Sequence, residues 1–274
     1  MKFYDAHNHL QDDRFGGRQS ELLAACAKSG VARMVVNGAS ESDWPQVLAL
    51  AKNQGGASVR ASRTKIIPSF GYHPWHLAER TPDWLKNLEK FLDEIPSAVG
   101  EIGLDRWKPN LSYDSQEEVF LAQLQLAAQR NLPVSIHCLQ AWGRMLELLQ
   151  KNLRPARGFV LHSFGGAAEM ILPLAKLGAH FSFPGYLLHE RKLRQCEVFR
   201  QVPPDRLLIE TDAPDQLLPL EKNLFPLVGA DGKALNHPAN LAAVYAGLAD
   251  FFGENISTLA ARVEENFLRV FGGQ

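Results

Sequence analysis

The chain has only three cysteines in 274 residues, Cys26, Cys138 and Cys196, spaced too far apart for a disulfide framework or a paired metal-binding motif. They read as three reduced thiols. No apolar run approaches the ~20 residues needed to span a bilayer. The N-terminal stretch Met1-Lys2-Phe3-Tyr4-Asp5 meets polar residues too soon for a signal peptide. These absences point to a cytoplasmic protein with no membrane association. Neither sign of charge prevails, since 29 basic against 30 acidic residues leave a net charge of −1. Nucleic-acid binding, if present, must therefore rest on a local patch or on metal ions, because no basic field covers the molecule. Internal repeats, low-complexity tracts and interdomain linkers are also missing. Residues 1–274 are expected to form one domain, with a flexible loop at Gly55–Arg63.

A hydrophobic content of 46% is enough for a sizeable core, and its distribution alternates. Short apolar runs at Lys2–Asp5, Ala32–Asn37, Lys65–Phe70, Ala98–Ile102, Pro133–His137, Gly158–His162, His180–Phe183 and Arg206–Glu210 read as eight strands. Each is followed by a longer segment of helical periodicity. The runs are continuously apolar, as befits a parallel sheet covered by helices. Eight such alternations predict a single (β/α)8 TIM barrel with additional C-terminal helices, at about Pro238–Phe252 and Ser257–Val270. Ser115 through Glu118 fits a capping box before Val119. Thr81-Pro82 fits an N-cap with proline in the first turn. Gly30, Gly178 and Gly253 stand where helices should end, and Pro173 should kink or divide one.

The chemistry-bearing residues fall at the strand ends. His7 and His9 are two apart on extended backbone, so both imidazoles can reach one ion. Glu101 follows an apolar strand between Gly100 and Gly103, which should let backbone and ligand approach closely. His137, His162 and Asp212 end the fifth, sixth and eighth strands. Each alone reads equally as a hydrogen-bonded structural residue. Together they converge on the C-terminal face of a parallel barrel, where barrel active sites lie. Four imidazoles and two carboxylates exceed one tetrahedral site but suit two divalent cations. The expected sets are His7, His9, Glu101 and Asp212 on one ion, and Glu101, His137 and His162 on the other. Nitrogen-rich ligation favours zinc or manganese over calcium, with magnesium a third candidate.

With these landmarks in order, Asp5-x-His7-x-His9, Gly71-x-His73-Pro74, Gly100-Glu101-Ile102-Gly103-Leu104-Asp105, His137, His162-Ser163-Phe164-x-Gly166 and Glu210-Thr211-Asp212-Ala213-Pro214, the chain resembles the TatD family of metal-dependent deoxyribonucleases, within the amidohydrolase-like metal barrels. The likeness covers essentially the whole chain. It implies metal-dependent phosphodiester hydrolysis, often as a 3′ exonuclease, with DNA or a small phosphoester as substrate. Three positions depart from the family pattern. Leu139 stands where members carry Arg, His73-Pro74-Trp75 replaces His-Pro-His, and Asn236-His237-Pro238 replaces Asn-Glu-Pro.

In the mechanism expected from these residues, two ions acidify a bridging water to hydroxide, Asp212 accepts its proton and Glu101 bridges the ions. Glu210 either steadies a ligand or bonds backbone at the barrel rim. His73 and Trp75 are candidate substrate contacts, Trp75 by stacking or, alternatively, as a packing residue. Asp105 and Arg106 either line the pocket or pair with each other. Cys138 should face the outer helices. Two further readings stay open at this point: a metal-dependent amidase, lactonase or deacylase acting on a small carbonyl substrate, and a non-catalytic scaffold.

Overall fold

The computed structural model describes residues 1–53 and 64–273, so the loop expected at 55–63 lies outside the described residues. The chain runs β1 (Phe3–Asn8), α1 (Gln19–Lys28), β2 (Val31–Asn37), α2 (Trp44–Lys52), β3 (Lys65–Phe70), α3 (Trp84–Glu94), β4 (Ala98–Asp105), α4 (Tyr113–Arg130) and β5 (Val134–Leu139). It continues through α5 (Trp142–Lys151), β6 (Phe159–Leu161), α6 (Ile171–Lys176), β7 (Ala179–Pro184), α7 (Leu193–Val198) and β8 (Leu207–Glu210). A small antiparallel hairpin, β9 (Leu227–Val228) with β10 (Ala234–Leu235), precedes α8 (Leu241–Phe252) and α9 (Ile256–Phe271). Strands β1 to β8 pair in sequence order, each parallel to the next. Backbone bonds draw the two ends together: the Asp212 amide donates to the His7 carbonyl at 3.0 Å, and the His9 amide to Ala213 at 2.8 Å. The result is the (β/α)8 barrel that the alternation predicts.

Continuously apolar strands become barrel staves because both faces are covered, and every residue of β1, β4, β7 and β8 is buried. Residues of six strands (Tyr4, Ala6, Val35, Ile67, Ala98, Val160 and Leu208) form one cluster with Phe267, Val270 and Phe271 of α9. A cluster that joins residues of six staves to one helix lies across the barrel axis. The Asn266 amide of α9 donates to the Leu207 carbonyl, at the foot of β8, at 2.9 Å. Helix α9 therefore stops the N-terminal end of the barrel with hydrocarbon, leaving the opposite end for polar chemistry.

The capping box at 115–118 and the Thr81 cap are not formed, whereas the glycine helix ends are. The cap of α4 is Ser112, whose hydroxyl accepts from the Ser115 amide; Ser115 lies inside the first turn. Helix α3 starts at Trp84, two residues beyond Pro82, because the Thr81 amide and hydroxyl are taken by Glu41 at 3.0 and 2.8 Å. Pro173 falls in the first turn of a six-residue helix, where its missing N–H has no intrahelical role. Gly30, Gly178 and Gly253 take positive φ directly after helices.

Candidate metal centre

Glu101 lies at the centre of the C-terminal face, 3% exposed, within β4 rather than at its end. Its two oxygens meet different groups of imidazoles. Oε2 lies 3.3 Å from His7 Nε2 and 3.2 Å from His9 Nε2. Oε1 lies 3.0 Å from His137 Nδ1 and 2.8 Å from His162 Nε2. Asp212 Oδ1 completes the first group at 3.7 and 3.6 Å from His7 and His9. His7 and His162, from opposite groups, stack with ring centroids 4.0 Å apart and planes 11° from parallel.

Neighbouring strands let this happen only because β4 is thin. A Cβ on Gly103 would sit 1.9 Å from the His137 carbonyl oxygen, and one on Gly100 would sit 2.8 Å from Ser135 Cβ. The glycines around Glu101 thus make room for β5, not for a ligand. Asp212 reaches the site from a left-handed residue, φ +52°, just beyond β8. Asp tolerates that conformation better than most non-glycine residues.

The outer ring nitrogens are largely committed, which fixes what the inner ones can do. His9 Nδ1 donates to the Asn37 carbonyl at 2.8 Å, and His137 Nε2 donates to Asp105 Oδ2 at 3.0 Å. In the neutral ring the inward nitrogen of each is then a lone pair, as a metal ligand must be. His7 Nδ1 lies 2.8 Å from Ser135 Oγ. His73 is the opposite case. Its Nδ1 accepts from the Trp75 amide at 3.1 Å, so its Nε2, 3.4 Å from Glu101 Oε1, carries the hydrogen. That imidazole is a donor aimed into the cavity.

Burial sets the charges. It keeps His7 down at about 4 and His73 at about 3. Burial also opposes charge on His9, but the Glu101 and Asp212 carboxylates outweigh it and hold that ring up at about 9. Burial, reinforced by Glu210 and Glu101, pushes Asp212 up to about 7. Burial alone would raise Glu101, yet His162, His73 and His7 pull it well below the carboxylate range. The centre as a whole attracts positive charge. His7, His9 and Asp212, and His7, Glu101 and His162, each bring ligand atoms close enough to hold an ion, while His73, as near to Glu101 and His137, keeps the hydrogen on its Nε2. The donor set, oriented from behind by carbonyl, hydroxyl and carboxylate groups, fits divalent metal.

Asp105 plays a larger part than its place in the loop suggested. It is 1% exposed and does not pair with Arg106, whose guanidinium packs over Tyr113 at 3.8 Å. Its Oδ2 accepts from His137 and, at 2.7 Å, from Trp75 Nε1, while Oδ1 accepts the Trp107 and Lys108 amides. Asp5 is likewise hidden, tying β1 to β8 through the Thr211 amide and hydroxyl at 3.0 and 2.6 Å. A carboxylate at the end of an apolar strand was the available signal for both; sequence alone names no partner. Glu210 accepts the Ser163 amide and hydroxyl, each at 2.7 Å, and the Ser182 hydroxyl, and lies 3.7 Å from His162 Nδ1. Gln216, not singled out from sequence, donates to Asp212 Oδ2 at 2.7 Å.

The centre opens into a cavity of about 340 Å³, lined also by Trp75, Trp107, Leu139 and Arg14. Trp75 is 37% exposed with Lys108 Nζ 4.7 Å from its ring centroid. Leu139 is exposed on the cavity wall. Cys138 lies beside the cavity, but its side chain is buried in the core that the outer helices cover, as expected, and burial raises its thiol and leaves it un-ionised. Among the described residues no helix is long and apolar enough to cross a membrane.

Comparison with known proteins gives a consistent picture. Residues 4–272 match the family model described as TatD related DNase. A 3′-5′ ssDNA/RNA exonuclease TatD of Pantoea ananatis is 30% identical over 272 residues, covering 98% of this chain and 99% of that protein. A metal-dependent hydrolase of Escherichia coli, YjjV, is 28% identical, with 98% of each chain covered. The YjjV crystal structure superposes with a TM-score of 0.86 at 27% identity, covering 98% of both chains.

Proposed function

We propose that this chain, which belongs to the TatD related DNase family, is a two-metal phosphodiesterase that removes nucleotides from the 3′ end of single-stranded nucleic acid. The observation that carries the reading is the division of Glu101, with His7 and His9 at one oxygen and His137 and His162 at the other. Asp212 joins the first pair. Divalent cations held this way supply Lewis acidity toward a phosphoryl oxygen and lower the pKa of water. The Asp212 carboxylate opens to the cavity and takes the proton from the attacking water, while Gln216 fixes its other oxygen. The His73 Nε2–H donates to a non-bridging substrate oxygen. Trp75, locked edge-on by Asp105, offers its face to a base. Glu210 holds the Ser163 turn beside His162. The exonuclease relatives, named for ssDNA and RNA, support the substrate class. The chain is taken as one domain, since elements from β1 to α9 meet in one barrel. Its buried, unpaired cysteines suit the reducing cytoplasm.

Leu139 supports a second reading, a metal-dependent amidase, lactonase or deacylase. It puts an apolar side chain where the family resemblance calls for a phosphate-binding Arg, and the one arginine that lines the cavity among the described residues, Arg14, is bound by Asp12 and Asp215. Metal-reconstituted protein is assayed on end-labelled single-stranded DNA and RNA, bis(p-nitrophenyl) phosphate and a panel of small esters and amides. Chelator-sensitive release of nucleotides from the 3′ end is the expected result. Turnover confined to the carbonyl panel overturns the nuclease reading in favour of the second.

A further inference from the structure

The metal cavity does not stand alone on its face. A second groove of about 380 Å³ adjoins it, and Asp215 and Gln216 line both. Its walls are Tyr186, His189 and Arg191 of the turns that follow β7, and the segment after β8. Loops after the seventh and eighth strands often carry phosphate sites in barrels of this kind. Tyr186 sits in this groove with the Arg191 guanidinium 5.5 Å and Lys192 Nζ 4.8 Å from its ring centroid. Among the described residues, neither cation has a carboxylate within ion-pairing distance. The segment from His189 to Arg194 carries three cations against the single carboxylate of Glu190. Among the described residues the one carboxylate lining the groove is Asp215, and Arg14 occupies both its oxygens at 2.8 and 2.7 Å.

An aromatic ring with two cations over it that no carboxylate neutralises is a combination that holds phosphates, and bases where a cation gives way, without reading sequence. A chain of net charge −1 needs such a local patch to attract a polyanion. We propose that single-stranded nucleic acid extending from the metal cavity crosses Asp215 and Gln216 and is gripped in the second groove by Tyr186 and Arg191, with Lys192 beside the Tyr186 ring adding positive charge. This rests on the nuclease reading and deepens it. The metal cavity performs the cleavage, and the adjoining groove makes a long strand a better substrate than a short one.

Two variants test it: Tyr186→Leu, and Arg191→Ser combined with Lys192→Ser. The paired substitution touches exposed or half-exposed side chains and keeps the test alive if Tyr186→Leu fails to fold. Binding of a 5′-labelled oligothymidylate of about ten nucleotides is followed by fluorescence anisotropy over a range of salt concentrations, with polyglutamate as competitor. The expected loss of affinity is roughly tenfold or more in each variant, with a shallower salt dependence for the cation variant. In turnover, KM rises for the oligonucleotide while bis(p-nitrophenyl) phosphate hydrolysis stays at the wild-type rate. Wild-type affinity in both variants, or competition by polyglutamate as effective as by DNA, overturns the groove. Wild-type protein that binds the oligonucleotide through these residues yet cleaves no phosphodiester leaves the groove standing and sinks the nuclease reading instead.

Discussion

Glu101 sets the scale of the centre, because one carboxylate is just wide enough to face two groups of imidazoles while keeping them apart. Its neighbours divide into groups that touch the cavity and groups that hold those in place. Asp212 belongs to the first kind. Replacing it with Asn keeps the shape and the Gln216 contact but removes the carboxylate proposed to accept the proton. Turnover of bis(p-nitrophenyl) phosphate is expected to fall by roughly 10²–10⁴-fold with an unchanged circular dichroism spectrum. A variant that turns over within threefold of wild type excludes Asp212 from the role. Asp105 belongs to the second kind, presenting His137 and Trp75 without entering the cavity. Asp105→Asn is expected to weaken metal binding by about 10–100-fold, read by titration calorimetry with zinc or manganese. Wild-type affinity would mean that His137 is oriented by packing alone.

At the scale of elements, closure of the barrel depends on groups that no strand pattern reveals. Helix α8 supplies Tyr245, whose hydroxyl accepts from the Tyr4 amide at 3.1 Å and donates to the Tyr4 carbonyl at 3.0 Å. Tyr245→Phe strands both backbone groups in the core, at a cost of roughly 2–4 kcal/mol, measurable by urea denaturation. A loss below 0.5 kcal/mol would show that another partner replaces the hydroxyl. Near the foot of β7, His180 is 1% exposed and neither ring nitrogen has a hydrogen-bond partner among the described residues. Burial, with Arg206 of the turn before β8 and Arg269 of α9 facing it, lowers this ring to about 4, against weaker opposing pulls from the Gly178 backbone, too poorly aligned for a full hydrogen bond, and from Asp205. The unfolded chain takes up a proton near pH 6.5 that the folded protein refuses. Its contribution is therefore intact above that pH and is lost as pH falls toward 4. Between pH 7 and 5 the loss is on the order of 2 kcal/mol, and His180→Phe should flatten the slope of stability over that interval. An unchanged slope assigns the acid sensitivity to other groups, such as His237, which burial also lowers to about 4.

The whole molecule separates stability from chemistry along the barrel axis. Helix α9 plugs one end with Phe267, Val270 and Phe271, while the other gathers buried imidazoles and carboxylates whose desolvation is costly without a cation among them. Metal should therefore be a structural as well as a catalytic ligand. Chelation is expected to abolish hydrolysis reversibly. Adding metal at about one hundred times its dissociation constant should stabilise the fold by about 2.7 kcal/mol, a rise of a few degrees in Tm. Activity that survives exhaustive chelation would remove metal from the reaction.

Much of this could be read without coordinates. Eight apolar runs spaced by helical periodicity, with no linker between them, favour a covered parallel barrel over doubly wound sheets, because such runs must be buried on both faces. His7, His9, Glu101, His137, His162 and Asp212 were visible as a set because strand ends in that fold converge on one rim. What the chain could not disclose by itself is who stands behind those residues. Asp105 reaches His137 across two strands, Asn37 fixes the tautomer of His9, Tyr245 pairs with Tyr4 from 241 residues away, and Arg14 neutralises Asp215 across the cavity mouth. Periodicity and strand position are local properties of a sequence, written wherever burial dictates residue type. A hydrogen-bond partner is a property of distance in space, and only the closed barrel brings those pairs within 3 Å or so of one another.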